Sequence, residues 1–364
     1  MQKFSKRDLL GKGYRFLLKR PDPSEILWLN IAVTYWCNAR CMNCRIWEKY
    51  RTDPAPAREE LSVNEIRRLI ESPFMSHLQG VSLTGGEPTL RDDLPEIASV
   101  VVDHAPETIL ATSTNGLNPS RIEGIVGKIL NYEPRRFSIS VSLDGTRKTH
   151  DRLRGTVGAY DSVLDTVKRL QEFDIRIGLH FTISRENWAD LPEIHRLSQQ
   201  LGIGFLANFA HESPFFYSNT PVSGIPTEDL DEIQRLVEKT VQDRQAGETL
   251  AVRLLDPYPF FLASMTRHQR QQSRLLPCYS GTHSLFLDPH GSVYPCPILD
   301  RPMGNIRQED FSSLWMSIPA TETRRFIAAE RCHCWVACDA VPSLLRGIRP
   351  FAWNISQLFR GGDH

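Results

Sequence analysis

The sequence has no net charge, no long apolar run and no secretory signal. Its 364 residues include 43 Lys and Arg and 43 Asp and Glu, so the formal charge is zero. A neutral chain gives no global electrostatic reason to expect nucleic acid or another polyanion as a partner. No stretch approaches the roughly 18 consecutive apolar residues of a membrane span, and the charged N-terminus lacks the apolar core of a signal peptide. These absences favour a cytoplasmic protein that binds no nucleic acid.

Eight cysteines are present, and they fall into two groups. Because a reducing cytosol disfavours disulfides, cysteines in such a protein are better interpreted as metal ligands or catalytic groups. The first group has CxxxCxxC spacing directly after an apolar run, and the second is spread over 61 positions: Cys37, Cys41 and Cys44, then Cys278, Cys296, Cys332, Cys334 and Cys338. Three thiols on one loop can hold a [4Fe–4S] cluster and leave one iron free. A structural zinc loop or three unrelated buried cysteines are the alternatives.

Strand-like and helix-like segments alternate through the first 210 residues. Apolar runs predict strands over 26–33, 80–84, 108–112, 137–143, 175–183 and 203–209. Helical periodicity lies between them, and one helix opens with a capping box made by Ser62 and Glu65. Six strand-then-helix units predict a parallel sheet with crossover helices, either doubly wound or an incomplete barrel. Chemistry then belongs at the C-terminal ends of the strands, where the Cys37–Cys44 loop begins.

Polar, glycine-containing turns follow the next three predicted strands. They read Gly85-Gly86-Glu87-Pro88, Ser113-Thr114-Asn115-Gly116 and Ser142-Leu143-Asp144-Gly145, with Arg154 further along the chain. Each alone is ordinary turn chemistry. Together they bring a carboxylate, a guanidinium and small polar groups to the three-thiol loop, which suits a zwitterionic ligand beside a cluster.

With these motifs the chain resembles the radical S-adenosylmethionine (radical SAM) superfamily over residues 27–210. The resemblance implies a partial (β/α)6 barrel in which Cys37, Cys41 and Cys44 hold a [4Fe–4S] cluster and SAM chelates the fourth iron. The SAM-binding residues that it implies are Gly85, Gly86 and Glu87 for the methionine amine, Ser142 and Arg154 for the ribose and carboxylate, and Asn115. It also implies reductive cleavage of SAM to a 5′-deoxyadenosyl radical, which abstracts hydrogen from an unactivated C–H bond.

Four further residues bear on the adenosine pocket. His180, Thr182 and Asn187 are weaker candidates for it, because a His inside a strand is more often a satisfied core residue. Asn43 stands before the third cysteine, where members of the superfamily often have an aromatic residue stacked near adenine. This departure affects that stacking contact alone, since the three thiols are intact.

The second cysteine group frames a predicted hairpin, with strands over 284–287 and 292–296. Five thiols with His290 and His333 leave zinc open from the residues alone. The segment also resembles the SPASM or shorter twitch extension of radical SAM enzymes, through Cys278, the stretch from Gly291 to Cys296, Gly304-Asn305-Ile306 and the late cysteines. That resemblance implies one auxiliary [4Fe–4S] cluster held by Cys278, Cys296 and two of Cys332, Cys334 and Cys338. Pro297 stands where some sulfatase-maturing relatives have an Asp, so their dehydrogenation is not supported.

We divide the chain into five segments. They are a basic N-terminal segment (1–26), the core barrel (27–210), connecting loops and helices (211–275), a SPASM/twitch-like domain (276–340) and an apolar, basic tail (341–364). Within the connection, a helix is predicted over 227–241 between two aromatic, proline-marked loops, 214–217 and 256–261. The basic, apolar ends raise the hypothesis of contact with an anionic membrane surface, and a C-terminal helix docked on the barrel is the alternative.

The sequence therefore predicts a radical SAM enzyme of oxidoreductase or transferase type, served by an electron donor such as flavodoxin or ferredoxin. Its predicted substrate is a small-molecule or lipid-like C–H, with the auxiliary cluster assisting. Two alternatives remain. One is maturation of a ribosomal peptide or protein. Only 36 residues precede Cys37, too few for the fused peptide-recognition domain of many such maturases, which argues against this alternative. The other is a non-catalytic zinc-binding module.

Overall fold

The computed structural model describes residues 25–51, 53–213, 215–217, 225, 227–246, 248–337, 340, 343–344 and 348–360. The basic segment before residue 25, Cys338 and part of the tail lie outside the described residues. Six parallel strands form the centre of the fold: β1 (Trp28–Thr34), β2 (Gly80–Gly85), β3 (Ile109–Thr114), β4 (Phe137–Ser142), β5 (Arg176–Ile183) and β6 (Gly204–Phe209). All six predicted strands are confirmed, with ends that shift by at most two residues.

Helices connect consecutive strands and cover one face of the sheet. They are α1 (Val63–Ile70), α2 (Leu94–His104), α3 (Pro119–Leu130), α4 (Arg147–Arg154), α5 (Ala159–Leu170) and α6 (Leu191–Gln200). The capping box is present as predicted: the Ser62 side chain accepts from the Glu65 backbone, and the Glu65 side chain accepts from the Ser62 backbone. Buried apolar residues alternate along β4 and β5 and pack under the helices, with polar residues such as Ser140 and Thr182 between them. In β3 the alternating buried residues are Leu110, Thr112 and Thr114.

Helix α4 was not predicted, because its sequence Arg-Lys-Thr-His-Asp-Arg-Leu-Arg has one aliphatic residue, Leu153, and so lacks an apolar stripe. It forms where the chain turns back beside the Cys37–Cys44 loop. Gly155 ends it in the left-handed region at a φ of 62°, the usual way to end a helix.

The connecting segment is more helical than predicted. The helix predicted over 227–241 corresponds to α7 (Leu230–Gln245). Two further helices follow it, α8 (Leu250–Leu255) and α9 (Tyr258–Gln271). The predicted loop over 256–261 is wrong from Tyr258 onward. Pro259 stands in the first turn of α9, where proline costs no hydrogen bond, so it marks the start of a helix.

The C-terminal hairpin continues the central sheet. Strand β7 (Ser284–Leu287) pairs in parallel with β1, and β8 (Ser292–Tyr294) and β9 (Gly304–Asn305) add antiparallel strands. The nine described strands are ordered β6-β5-β4-β3-β2-β1-β7-β8-β9. The predicted partial barrel is thus confirmed as an open sheet of parallel strands β1 to β6. The cysteine-rich extension is joined to this sheet through β7, which pairs with β1.

Three helices complete the described C-terminal part: α10 (Phe311–Met316), α11 (Ile318–Ala328) and α12 (Ile348–Arg360). Helix α12 packs on α8 and α9, where Trp353 meets Phe260 at 6.0 Å between ring centroids and the Asn354 amide donates to the Leu254 carbonyl. In the part of the chain that the structure describes, no helix is long and apolar enough to cross a membrane.

Candidate active site

The three thiols of the first group line one cavity at the C-terminal end of the sheet. Its volume is about 340 Å³, within the range of cavities that hold small ligands. The opposite wall consists of short polar side chains on β2, β3 and β4, namely Ser82, Thr84, Ser113, Ser140 and Ser142. Because these side chains are small, they leave the space above them open for a ligand.

Gly85 and Gly86 hold the Cys37–Cys44 loop against the end of β2. The Gly86 amide donates to the Thr34 carbonyl at 2.8 Å, and the Glu87 amide donates to the Trp36 carbonyl at 2.7 Å. A Cβ on Gly85 would lie 2.2 Å from the Thr34 oxygen, and one on Gly86 would lie 2.1 Å from the Trp36 oxygen. The glycines thus permit close approach of the loop backbone, and both also line the cavity.

Helix α4 fixes the other side of the loop. The Arg40 amide donates to the Arg154 carbonyl at 3.0 Å, and the Met42 amide donates to the Leu153 carbonyl at 2.8 Å. Gly155 passes so close that a Cβ there would lie 2.7 Å from the Arg40 oxygen. The loop is therefore bound between the end of β2 and the end of α4, which sets the spacing of its thiols.

The electrostatics of this loop suit a bound metal cluster. The pKa of Cys37 and of Cys44 is raised to about 12, mainly by burial and in part by the neighbouring Cys41. Two N–H groups point at sulfur: Arg154 Nη1 lies 3.5 Å from Cys41 Sγ, and Asn115 Nδ2 lies 3.8 Å from Cys37 Sγ. Three mutually repelling thiolates need a cation to ionise together, and iron–sulfur clusters are held by such thiolates.

Glu87 does not line the cavity. Its side chain is 1% exposed, and its carboxylate accepts from the Asn115 amide at 2.6 Å and from Thr89 Oγ1 at 2.6 Å. In this position it ties the end of β2 to the end of β3 behind the cavity wall. Its predicted contact with the methionine amine stays a prediction.

Asn115, Ser142 and Arg154 all line the cavity, as their predicted roles require. The guanidinium of Arg154 forms an ion pair with Asp144 at 2.6 Å. Asp144 also accepts from the Thr182 amide at 2.8 Å and lines the cavity itself. Sequence reasoning left Asp144 out of the site, although its place directly after a strand end in Ser-Leu-Asp-Gly was the available signal.

The weaker candidates of β5 divide into two kinds. His180 and Thr182 line the cavity, and the His180 ring hydrogen-bonds Asn208 on β6. Asn187 is outside the lining, where its amide donates to the carbonyls of Asp144 and Thr182 at 2.8 and 2.9 Å. Asn187 is therefore a residue that positions the strand end.

The far wall of the cavity could not be found from sequence patterns. It is built by Asn208, His211, Tyr217, Tyr258, Val336 and Ala337. Burial lowers the pKa of His211 to about 4, and the neighbouring His268 lowers it as well, so the imidazole is neutral near pH 7. These residues come from β6, the connecting segment and the last cysteine group, and no local spacing links them.

Four thiols of the second group line a second, smaller cavity: Cys278, Cys296, Cys332 and Cys334. Cys296 Sγ accepts from the Leu299 amide at 3.3 Å, and such N–H donors to sulfur are typical of cluster ligands. Among the described residues, no three His, Cys, Asp or Glu side chains converge as ligands of one metal ion. The predicted ligand Cys338 lies outside the described residues.

One loop contributes to both cavities. Cys332, Cys334 and Trp335 line the second cavity, while Val336 and Ala337 line the first. The Trp335 indole donates to the Phe261 carbonyl at 2.9 Å and stacks on the Phe261 ring. Consecutive residues of this loop, held by Trp335, therefore line both cavities.

Two family models match this chain. The Radical SAM superfamily matches residues 31–198, and the SPASM iron–sulfur cluster-binding domain matches residues 278–339. Together these spans cover more than half of the chain and contain all eight cysteines. The SPASM match favours iron–sulfur over the zinc alternative.

Known proteins resemble the chain over most of its length. It is 28% identical over 313 residues to the Fe-coproporphyrin III synthase of Methanosarcina barkeri, covering 79% of this chain and 72% of that protein. It is 24% identical over 306 residues to the sporulation killing factor maturation protein SkfB of Bacillus subtilis, covering 84% and 68%. The crystal structure of Streptococcus suis SuiB bound to S-adenosylmethionine superposes with a TM-score of 0.60 at 16% identity, covering 88% and 71%, which shows the fold alone.

These findings confirm an enzyme that uses a [4Fe–4S] cluster and SAM, with auxiliary iron–sulfur at the C-terminal end. For the substrate, they support the peptide-maturase alternative better than the predicted small-molecule or lipid-like reading. They support neither the predicted membrane contact nor the twitch assignment in particular. The chain belongs to the radical SAM superfamily and carries a SPASM iron–sulfur cluster-binding domain after its barrel.

Proposed function

We propose that this enzyme matures a peptide or protein substrate by abstracting hydrogen from an unactivated C–H bond in the 340 Å³ cavity. The observation that carries the proposal is that Cys37, Cys41 and Cys44 line the same cavity as the small polar face of β2 to β4. Cys37, Cys41 and Cys44 would hold a [4Fe–4S] cluster, which together with SAM would supply a 5′-deoxyadenosyl radical there.

The chain's own residues bind and orient the reactants. We propose that Gly85, Gly86, Glu87 and Asn115 serve the methionine end of SAM and that Ser142 and Arg154 serve its ribose and carboxylate. Arg154 is held for this role by its ion pair with Asp144 and its contact with Cys41. The far wall, with Tyr217, Tyr258 and Val336, excludes water from the reacting atoms.

A peptide substrate is supported by SkfB, a maturation protein that aligns over 84% of this chain. The rim of the site is compatible with an extended, partly apolar substrate. Leu206, which lines the cavity, is 41% exposed, and Trp36 just before the Cys37–Cys44 loop and Met42 within it are 42% and 40% exposed.

A porphyrin substrate is the second candidate, because the Fe-coproporphyrin III synthase of Methanosarcina barkeri aligns over 79% of this chain. The two candidates can be separated with the reconstituted enzyme, SAM and dithionite. Synthetic peptides from short reading frames beside the gene, or an iron tetrapyrrole that could be converted to iron coproporphyrin III, are added, and 5′-deoxyadenosine and the mass of the added compound are followed. A mass change in a peptide supports the proposal, and a change in the porphyrin alone overturns it in favour of the second candidate.

The radical chemistry is tested by removing single thiols after anaerobic iron reconstitution. Cys41→Ala should abolish dithionite-dependent 5′-deoxyadenosine formation, because two thiolates cannot hold the cluster that binds SAM. Cys296→Ala should keep uncoupled SAM cleavage and lose product, since Cys296 belongs to the second cavity. Cleavage of SAM by Cys41→Ala, or bound zinc in place of iron, would contradict the proposal.

Three further points of the sequence analysis remain proposals. The electron donor is a protein such as flavodoxin or ferredoxin. The five-segment division assigns residues 27–210 to the barrel and 276–340 to the auxiliary-cluster domain. The cytoplasmic location, with peripheral contact between basic termini and anionic lipid, is tested by vesicle flotation, and protein that stays wholly in the soluble fraction would end the membrane hypothesis.

A further inference from the structure

Arg274 binds directly to a thiol of the second cavity. It lies in the short segment after α9 and lines that cavity. Its Nη2 donates to Cys332 Sγ at 3.3 Å and to the Cys332 carbonyl at 2.8 Å, and its Nη1 donates to the Ile327 carbonyl at 2.6 Å. Three bonds fix the planar guanidinium, so its position relative to the sulfur is set by the fold.

Arg274 and Arg154 differ in whether a carboxylate pairs with the guanidinium. Arg154 also contacts a cysteine, but Asp144 lies 2.6 Å away and neutralises it. The bonds that Arg274 makes to described residues go to two carbonyls and one sulfur, and none goes to a carboxylate. Among the described residues, the second thiol set therefore meets an unbalanced positive charge, and the first does not.

Positive charge and N–H···S hydrogen bonds both favour the reduced state of an iron–sulfur cluster. Reduction adds one negative charge, which a nearby guanidinium stabilises, and hydrogen bonds to sulfur withdraw electron density from the iron. In a partly buried site these effects are screened less than in water. Both contacts of Arg274 therefore act in the same direction on the potential of the second site.

We propose that Arg274 is a positioning residue that raises the reduction potential of the auxiliary cluster. The inference deepens the proposed function, on which it rests for the use of the two clusters. Arg274 also links the two cavities, because it binds Cys332, and Val336 and Ala337 of the same loop line the first cavity.

The test measures the potential of the auxiliary cluster alone. Full-length protein with Cys37, Cys41 and Cys44 all changed to Ala is reconstituted anaerobically and titrated, with the reduced cluster followed by electron paramagnetic resonance. In this background Arg274→Gln should lower the equilibrium constant for reduction at least tenfold, which corresponds to about 59 mV for a one-electron couple. Arg274→Lys keeps the charge but loses the planar guanidinium. Its reduction potential should lie between that of the background protein and that of Arg274→Gln.

Arg349→Gln is the matched control, because Arg349 donates to the carbonyl of Leu275, the residue after Arg274, and this bond involves no thiol. Its potential should stay near that of the background protein. An unchanged potential in Arg274→Gln with full iron content overturns the inference. If Arg274→Gln fails to retain iron, Arg274→Lys decides, and a potential equal to that of the background overturns the inference.

This experiment needs neither SAM cleavage nor a substrate. A negative result with normal 5′-deoxyadenosine formation in the wild type therefore removes the role of Arg274 and leaves the proposed function. A lowered potential without any peptide modification removes the proposed substrate and leaves the role of Arg274.

Discussion

Single glycines determine how the cluster loop is held. Gly85 has a φ of 129°, and both Gly85 and Gly86 lie where a Cβ would meet a loop carbonyl at 2.2 Å or less. The sequence motif alone assigns the Gly-Gly pair to the methionine amine of SAM. The structure shows that its first close neighbour is the backbone of residues 34–36, and that the cavity lies beside it.

Gly86→Ala should weaken both the fold and the cluster site. The Trp36 carbonyl must move to admit the new methyl group, which costs about 1–3 kcal/mol as for other overpacked sites. We expect a lower midpoint in urea denaturation and less iron bound after reconstitution. Gly124→Ala is the control, because Gly124 is exposed in α3 with no atom within 4 Å of its Cβ position. It should stabilise by about 0.5–1 kcal/mol.

At the scale of elements, α1 links the barrel to the C-terminal extension. Glu65 in its first turn accepts from Arg307, just after β9, at 2.6 Å, while also completing the capping box with Ser62. The capping box was predictable because it is local. The bond from Arg307 to Glu65 was not predictable, because 242 positions separate the two residues.

The Glu65–Arg307 pair should give a pH-dependent stability. The Arg307 hydrogen bond lowers the pKa of Glu65 from 4.5 to about 2. A lowered folded-state pKa means that the stabilisation is complete above about pH 4.5 and is lost as the pH falls through about 2. Glu65→Gln keeps the capping box and removes the charge. Its denaturation midpoint should be below that of wild type at pH 7, and the difference should shrink towards pH 3.

Exposed Glu96 in the first turn of α2 provides the control for this series. Glu96→Gln should show little change in midpoint at either pH. A difference for Glu65→Gln that is constant from pH 7 to pH 3 would contradict the ion-pair explanation.

At the scale of the whole molecule, the SPASM hairpin and the barrel share one sheet. Phe286 on β7 is fully buried and packs with Ala32, Tyr35 and Phe216, and Cys37 and Cys44 pack against the same cluster. The sequence predicts a small cysteine-rich extension after the barrel and leaves open how the two are joined. The structure makes the first strand of the extension a neighbour of β1, so that residue 286 completes the core beside Cys37 and Cys44.

Phe286→Ala should therefore affect the first cluster site, although Phe286 belongs to the C-terminal extension. Removing a buried phenyl ring costs about 3–5 kcal/mol, and the denaturation midpoint of the whole chain should fall. Iron content in the Cys37, Cys41 and Cys44 site should fall as well, measured in a Cys296→Ala background. Phe351→Ala on α12, where the ring is 42% exposed, should change stability by about 0.5 kcal/mol or less.

The candidate site was predictable to the extent that its residues are close in sequence. The CxxxCxxC spacing, the turns after β2 to β4 and the alternation of the strands are local patterns, and they placed the thiols, Asn115, Ser142 and Arg154 around one cavity. Residues on the far wall, such as His211 and Tyr258, come from segments with no shared pattern. Asp144 and Glu87 show a subtler limit, since both stand in predicted turns but the fold alone decides which one faces the cavity.

The sequence by itself determined the parallel sheet, the loop that carries three closely spaced thiols and the family, because period-two alternation and thiol spacing act over a few residues. Only the tertiary structure decided that β7 joins β1, that Cys278, Cys296, Cys332 and Cys334 surround one cavity, and that Arg274 reaches Cys332. The physical reason is that strand partners and long-range contacts depend on burial and register across the whole chain, which local patterns do not specify.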